Sequence, residues 1–345
     1  MIRDAELNQL VQACAAAIRG VRQGSLDPDL NWPRLIRLAR RHRVQGLAWL
    51  GLTGGTESDF PPAKELFEDT QAIARQNLIA VSAASRLLDE CTKRGLRLIF
   101  LKGLTLGSLA YPLAMVKMST DVDVLVDPAQ IVGVEQCLQE LGYEAEGIPR
   151  SHTRRSAMAK EWTWIGANGV VIDLHVRLAD SPKLLPEVSA RAEPQMVEVA
   201  PSINLPTLPR TQLFAYLCVH GTSSAWFRLK WAADLAAFIF QGDDDPRQLY
   251  AASQSLGSGR CPDVSLLVVD ELFGPLVPED LLQSVRRDPV TRSIARLSLR
   301  ELANDREPLE RPFGTVLIHL GQFFIERGPM FPVREFGRQL SNLVG

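Results

Sequence analysis

Two aspartates separated by a single residue are the side chains of this sequence best suited to chemistry. Asp121 and Asp123 lie in the stretch STDVDVLV (119–126), whose aliphatic residues predict a β-strand. Residues two apart in a strand project from the same face, so the two carboxylates lie side by side. Like charges at such a distance repel each other unless a cation lies between them, and Mg²⁺ prefers hard oxygen ligands of this kind. The pair therefore predicts a site for Mg²⁺ or Mn²⁺.

A third carboxylate comes from a similar setting. Asp173 lies in the otherwise apolar stretch VVIDLHV (170–176), where a charged residue is costly unless it is paired or reaches a site at the edge of a sheet. If this strand lies beside the strand of Asp121, three acidic groups converge and can hold two metal ions about 3.5–4 Å apart, one activating an acceptor oxygen and one holding a triphosphate. His175 shares a face with Asp173, and two roles are open for it: contact with nucleotide or metal, or a structural hydrogen bond to Asp173.

The turn after an earlier strand is suited to phosphate binding. The stretch LIFLKGLTLGSLAY (98–111) predicts a strand, then Lys102-Gly103, then a helix that begins near Leu104. A glycine lets the backbone approach phosphate closely, and the start of a helix supplies unpaired N–H groups and a positive dipole end. Lys102 or Lys117 adds a point charge there, or is a solvated surface lysine. Neither a Walker loop nor a Rossmann fingerprint is present, so phosphate binding is predicted from this context alone.

These residues must be positioned by a small α/β unit in the middle of the chain. Strands are predicted at 96–101 and 122–126, and the two arms of a β-hairpin within 162–178 flank Asn168-Gly169, a strong hairpin signal. A helix is predicted over 128–143, between a proline at its start and Gly142 at its end. The Pro-rich stretch 182–209 is interpreted as a connector with one extended piece.

Helical periodicity flanks this unit on both sides. Before it, the apolar spacing predicts helices over 4–19, 32–50 and 62–94. After it, helices are predicted over 209–221, 228–241, 245–256, 263–273, 278–287, 290–304 and 312–326. We therefore predict an α+β fold in which residues 96–178 form a mixed sheet covered by helices, with helical segments at both ends of the chain.

Composition and charge limit the class of protein. The 345 residues, 46% of them apolar and 23% charged, are ordinary for a globular chain of about two folding units. With 38 Lys and Arg against 40 Asp and Glu, the net charge of −2 gives no overall electrostatic footprint for nucleic acid, although a local basic groove stays open.

The cysteines and the apolar runs predict a soluble cytoplasmic protein without a membrane partner. The N-terminus lacks the apolar stretch of a signal peptide, and no apolar run elsewhere reaches about 18 residues. The cysteines are scattered and odd in number, which fits small core residues in a reducing compartment rather than disulfides or a zinc site. They are Cys14, Cys91, Cys137, Cys218 and Cys261.

The order of these features resembles the DNA polymerase beta-like nucleotidyltransferase superfamily, which has a Gly-containing turn, a strand with two aspartates and a later strand with a third acid. A closer resemblance, over about residues 96–240, is to a bacterial family of uncharacterised nucleotidyltransferases. The matching positions are LKG (101–103), Tyr111-Pro112, Lys117, Ser119 with DVDVLV (121–126), Gly142-Tyr143, DLH (173–175), His220, and Trp231 with Asp234. Three positions depart from the usual patterns: Gly103 is followed by Leu104, Lys117 replaces a frequent arginine, and Thr120 is an extra residue before Asp121.

The resemblance implies a small mixed-sheet nucleotidyltransferase core at 96–206, between an N-terminal helical region at 1–95 and a C-terminal helical region at 207–345. It implies that Asp121, Asp123 and Asp173 are the catalytic and metal-binding residues. The implied nucleotide-binding residues are Lys102, Gly103, Lys117, Ser119, His175, His220 and Asp234. Ordinary structural roles stay open for the last two, because Asp234 follows Lys230 by four residues, a spacing that also gives a helix-surface ion pair. Trp226, Phe227 and Trp231 are interpreted as core rather than as a platform for stacking a base.

The activity implied is the transfer of a nucleotidyl group from an NTP to an unidentified acceptor hydroxyl, on a small molecule, peptide or protein, with release of pyrophosphate. Two other functions are open. One is a non-catalytic module that binds a nucleotide or a partner on the same fold. The other is a toxin-like enzyme that modifies tRNA, which would need a basic groove and is less expected at this net charge.

Overall fold

A computed structural model describes residues 4–24, 27, 29–56, 58–146, 160–328 and 330–344 of the chain. Within them, the helices are α1 (Ala5–Ile18), α2 (Trp32–His42), α3 (Gln45–Thr53), α4 (Pro61–Lys93), α5 (Leu104–Ala110), α6 (Ile131–Glu140), α7 (Arg210–Ser223), α8 (Leu229–Gln241), α9 (Pro246–Ser255), α10 (Cys261–Phe273), α11 (Glu279–Val285), α12 (Pro289–Leu302), α13 (Val316–Gln322) and α14 (Phe331–Val344). The strands are β1 (Leu98–Phe100), β2 (Val122–Val126), β3 (Tyr143–Ala145), β4 (Glu161–Gly166), β5 (Val171–His175), β6 (Gln195–Ala200) and β7 (Ile203–Thr207). The predicted α+β class is confirmed.

The strands form one mixed sheet in the order β3-β4-β5-β2-β1-β7-β6. Strands β2 and β5 pair in parallel, as do β1 and β7, whereas the other neighbours are antiparallel. The predicted hairpin is present, because β4 and β5 pair on either side of a turn in which Gly169 has a φ of 76°. Strand β2 lies in the middle of the sheet, with hydrogen-bonded neighbours on both sides.

The Pro-rich stretch differs from its interpretation as a connector with one extended piece. It contains two strands, β6 and β7, which form a hairpin and extend the sheet beyond β1. Pro206 lies inside β7, where it removes a backbone donor. The turn residue is Ser202, with a φ of 64°, a conformation for which serine gives little sequence signal.

Helix boundaries differ from the sequence prediction at two places. The segment predicted as one helix over 32–50 is two helices, α2 and α3, because Arg43 ends α2 with a φ of 57°. The segment predicted over 312–326 contains only the shorter α13, and α14 was not predicted. All five cysteines are free and buried, which confirms them as small core residues. In the ranges given above, no helix is both long and apolar enough to cross a bilayer.

Helices cover both faces of the sheet, and the two faces have different chemistry. On one face, alternate residues of β2 and β5, among them Val122, Val124 and Ile172, pack in an apolar cluster with α4 and α6. On the other face, Leu125 packs in a cluster to which α5, α7 and α8 contribute. Side chains alternate between the faces of a strand, so residues 121, 123 and 173 project toward α7 and α8.

Candidate active site

Three carboxylates meet on two neighbouring parallel strands, β2 and β5. Asp123 in β2 lies directly opposite Asp173 in β5, and Asp121 immediately precedes β2. Each of the three offers a carboxylate oxygen, and these oxygens all lie within 4.8 Å of one another. Asp123 is 3% exposed, whereas Asp121 and Asp173 are partly buried. This is the arrangement in which like charges need a cation between them.

Asp123 has two cationic or hydrogen-bonding partners on a single oxygen. Lys102 Nζ donates to Asp123 Oδ1 at 2.8 Å, and His175 Nε2 lies 3.0 Å from the same oxygen. Burial raises the pKa of Asp123, but Lys102 and His175 outweigh it and hold that pKa well below its usual range. For Lys102 the directions are reversed: burial lowers its pKa, but the nearby Asp123, Tyr216 and Asp121 outweigh burial and raise that pKa well above its usual value. The carboxylate and the ammonium are therefore both charged.

His175 bonds a different aspartate from the one expected. Its structural alternative was a hydrogen bond to Asp173, but the ring instead reaches Asp123, which lies diagonally across on the neighbouring strand. Its other nitrogen, Nδ1, lies 3.1 Å from Glu161 Oε2. In β5 the side chains of residues 173 and 175 point to the same face, but His175 bonds Asp123 of β2 whereas Asp173 bonds Thr163 of β4.

The remaining oxygens of the cluster fit a divalent cation. Asp123 Oδ2 is buried and, among the residues that the structure describes, has no hydrogen-bond partner. Asp173 Oδ1 accepts a hydrogen bond from Thr163 Oγ1 at 2.7 Å. Burial raises the pKa of Asp173, and the charges of Asp123 and Asp121 raise it further against the hydrogen bond from Thr163. A buried oxygen without a partner and two repelling neighbours are what a hard cation would satisfy.

Asp121 is connected to an arginine that sequence reasoning missed. Arg43 Nη1 donates to Thr120 Oγ1 at 3.1 Å, and Thr120 Oγ1 lies 3.2 Å from Asp121 Oδ1. Thr120, the extra residue in the motif, is thus a hydroxyl link between the end of α2 and the carboxylate. Arg43 lies 77 residues before Thr120 in the chain, and no spacing in the sequence signals the contact.

The turn between β1 and α5 requires its glycine. Gly103 has a φ of 65°, in the region that favours glycine, and a Cβ there would lie 3.3 Å from Ser119 Oγ. Ser119 is buried, and its backbone N–H donates to Asn77 Oδ1 at 3.4 Å. The structure thus brings Gly103 and Ser119 together beside Asp121 and Lys102.

Lys117 and Asp234, two further predicted residues, bind each other. Lys117 Nζ lies 3.3 Å from Asp234 Oδ2, and Tyr111 Oη donates to Asp234 Oδ1 at 2.8 Å. The side chains of Lys117 and Asp234 are 6% and 7% exposed. Lys117 is therefore not a solvated surface lysine, and Asp234 does not form a helix-surface pair with Lys230, because its carboxylate points into this buried network.

Helices α7 and α8 bring aromatic and basic groups over the carboxylates. The His220 ring lies between those of Tyr216 and Trp231, with centroids 5.8 and 5.4 Å away. Burial lowers the pKa of His220 well below its usual value, so the ring is neutral. Lys230, one turn from Asp234 in α8, was missed as a site residue. Burial lowers its pKa to about 7, with help from Lys117 and against the pull of Asp121 and Asp234.

The turn from α7 to α8 is fixed by close packing. Trp226 is fully buried with a φ of 50°, and its ring lies against Gly221, where a Cβ would come within 2.4 Å of it. His42 Nδ1 accepts a hydrogen bond from the backbone N–H of Leu229 at 3.0 Å, and Arg41 donates to the carbonyl of Phe227. Trp226 is a core residue, whereas Phe227 and Trp231 are partly buried. The end of α2 thus holds the start of α8 over the site.

Comparison with known proteins places this site in a family. A search of curated proteins found no match to the chain. The sequence profile of a family described as uncharacterised nucleotidyltransferases matches residues 28–274, which is more than half of the chain and includes every element around the three carboxylates. The chain therefore belongs to this uncharacterised nucleotidyltransferase family.

Proposed function

We propose that this protein transfers a nucleotidyl group from an NTP to an acceptor hydroxyl of a small molecule, peptide or protein, with Mg²⁺ or Mn²⁺ bound by Asp121, Asp123 and Asp173. The observation that carries the proposal is the convergence of the three carboxylates around the unpartnered Oδ2 of Asp123, in a chain of a nucleotidyltransferase family. The order of the turn, the strand with two aspartates and the parallel strand with the third supports a place in the DNA polymerase beta-like superfamily, among bacterial members.

The reaction has a simple balance. The acceptor oxygen forms a bond to the α-phosphorus of the NTP, the bond from that phosphorus to the bridging oxygen breaks, and pyrophosphate leaves. A divalent cation at the three carboxylates supplies charge neutralisation and polarises phosphate oxygens. Asp173 takes the proton of the acceptor hydroxyl, because Thr163 occupies only one of its two oxygens.

The other predicted residues have supporting roles in this proposal. Lys102, whose charged ammonium is paired with Asp123, is placed to contact phosphate. The turn at Gly103, beside Ser119, lets the backbone approach the same phosphate. His175 positions Asp123, and the buried network of Lys117 and Asp234 positions α8. His220 lies where a nucleotide between the sheet and α7 would meet it. The five free cysteines support a cytoplasmic setting for the reaction.

The first test is ligand-dependent thermal stability. Mg²⁺ or Mn²⁺ together with an NTP should raise the melting temperature of the wild-type protein, because a ligand at about 100 times its Kd stabilises the native state by about 2.7 kcal/mol. Asp121→Asn and Asp123→Asn should lose most of this shift. Asp89→Asn, an exposed position on α4, is the matched control and should keep it. Equal shifts in all variants would place the cation elsewhere.

The second test separates chemistry from binding. Asp173→Asn should lower pyrophosphate release by orders of magnitude while nucleotide affinity changes little, since it removes the group that takes the proton and keeps most of the shape of the site. Titration calorimetry and a pyrophosphate assay with pooled candidate acceptors measure the two quantities on one preparation. An Asp173→Asn protein that turns over at the wild-type rate would show that Asp173 is not the group that takes the proton. A wild-type protein that binds nucleotide but releases no pyrophosphate with any acceptor would favour the alternative, a module that binds nucleotide without turnover.

A further inference from the structure

Lys230 is a charged residue of the site for which the proposed chemistry gives no role. It lies in the first turn of α8, partly buried and one helical turn before Asp234, and the charged groups that act on it are Lys117, Asp121, Asp234 and Lys102. None of the carboxylates that the structure describes pairs with Lys230, because Asp234 is already bound by Lys117 and Tyr111. A buried amine without an anionic partner is costly for the fold.

Two other cations lie around the same carboxylates. Lys102 contacts Asp123 from the β1–α5 turn, and Arg43 reaches Asp121 through the hydroxyl of Thr120. With Lys230 protonated, these three cations balance the three carboxylates. The charge of any divalent cations held by the carboxylates is then left over, and an anion of several charges is what balances it.

We propose that Lys230 and Arg43 bind the triphosphate of the donor nucleotide, from the side of the cleft formed by α2 and α8, opposite the sheet. This inference rests on the proposed function and adds to it the residues that hold the β- and γ-phosphates. A flexible lysine suits a point contact to phosphate, and the planar fork of an arginine suits two adjacent oxygens. The same contacts position both residues: Arg43 lies at the end of α2, and His42 and Arg41 beside it hold the start of α8, which carries Lys230.

Proton uptake on binding follows from this assignment. In the free protein the pKa of Lys230 is about 7, so the amine is mostly neutral at higher pH. A phosphate beside it favours the charged form and raises that pKa, so the complex holds a proton that the free protein lacks. Because each bound triphosphate is accompanied by the uptake of one proton, affinity for triphosphate should fall by about tenfold for each pH unit above about 7.

The experiment titrates the full-length protein with inorganic tripolyphosphate in the presence of Mg²⁺, because this probe needs no knowledge of the preferred base. Calorimetry in buffers of different ionisation enthalpy, at about pH 8, counts the protons taken up. The variants are Lys230→Met, Lys230→Arg and Arg43→Met. The matched controls are Lys93→Met and Arg37→Met, both on exposed helix positions.

Wild-type protein should take up about one proton for each tripolyphosphate bound at this pH. Lys230→Met should bind about tenfold or more weakly and take up no proton, since a charged hydrogen bond is lost. Lys230→Arg should keep most of the affinity yet lose the uptake, because an arginine is protonated throughout. Arg43→Met should also bind more weakly but keep the uptake, and both controls should match the wild type.

Wild-type affinity in Lys230→Met, or undiminished proton uptake in Lys230→Arg, overturns the assignment while leaving the proposed function in place. Binding of an NTP by a wild-type protein that does not bind tripolyphosphate overturns it as well. A wild-type protein that binds neither NTP nor tripolyphosphate removes the proposed function itself, so the two failures are distinguishable.

Discussion

Asp123 is the carboxylate of the site that contacts a lysine and a histidine and also lies beside the two other aspartates. Its Oδ1 lies within hydrogen-bond distance of both Lys102 and His175, while its buried Oδ2 has no hydrogen-bond partner among the described residues. The three aspartates could be found from the sequence, since their spacing in strands is itself the signal. Arg43 and Lys230 could not, because Arg43 contacts Asp121 only through the side chain of Thr120, and long stretches of chain separate Lys230 from Lys117, Asp121 and Lys102.

Asp173 should make the protein less stable than it would be with a neutral side chain. Its pKa is raised in the folded state, so its contribution to stability is present when it is protonated and is lost as the pH rises through that raised value. We expect Asp173→Asn to raise the melting temperature at neutral pH by about 2–4 °C, the shift that about 1 kcal/mol produces in a medium-sized domain. Differential scanning calorimetry without added metal or nucleotide measures it. The advantage should shrink at acid pH, and an advantage that persists there would point to a cause other than charge.

Helices and strands with strong local signals were predicted well, and those without them were not. The hairpin of β4 and β5 follows from Asn168-Gly169, whereas the hairpin of β6 and β7 was hidden by its prolines. The break between α2 and α3 is at Arg43, a residue type that rarely adopts its positive φ. Local sequence cannot show such a break, because contacts from other parts of the chain hold it in place.

Helix α3 should control the segment that carries Lys117 and Ser119. A Cβ on Gly46 would lie 2.3 Å from the carbonyl oxygen of Val116, so Gly46→Ala must push that segment away. We expect a loss of stability of about 1–3 kcal/mol in urea unfolding, together with weaker nucleotide binding. Gly321→Ala in α13 is the matched control, since nothing lies within 4 Å of its added carbon. If both variants unfold alike, the close approach of α3 is not what holds the segment.

At the scale of the whole molecule, helices that precede the sheet in the chain pack against helices that follow it: α1 contacts α8 and α10, and the end of α2 bonds the turn before α8. Residues matched by the family profile begin well before the range of the sequence resemblance, and they include α2 with Arg43. Lys117, Asp234 and Tyr111 form the buried contact between the segment before β2, helix α8 and the end of α5. Sequence reasoning selected the first two of these residues for nucleotide binding but had no means of pairing them, since 117 residues separate them in the chain.

This network should show strong coupling between distant parts of the chain. Lys117→Met should cost about 3–5 kcal/mol, because it leaves the carboxylate of Asp234 buried without its cation. Adding Asp234→Leu should restore part of that loss, so the double variant should be more stable than the sum of the two single changes implies. Urea unfolding of the four proteins gives the coupling energy. Additive single changes would mean that the pair contributes nothing jointly.

The register of β2 against β5 has a consequence for folding fidelity. Along β2 the carboxylate of Asp123 alternates with Val122 and Val124, which lie in the apolar layer under α4. A slip of one residue would exchange the two faces and place a carboxylate in that layer without a partner. Such burial is costly, so the same aspartate that serves the site also penalises the misaligned sheet. Replacing Asp123 by a neutral residue would therefore remove the penalty on the misaligned register as well as a carboxylate of the site.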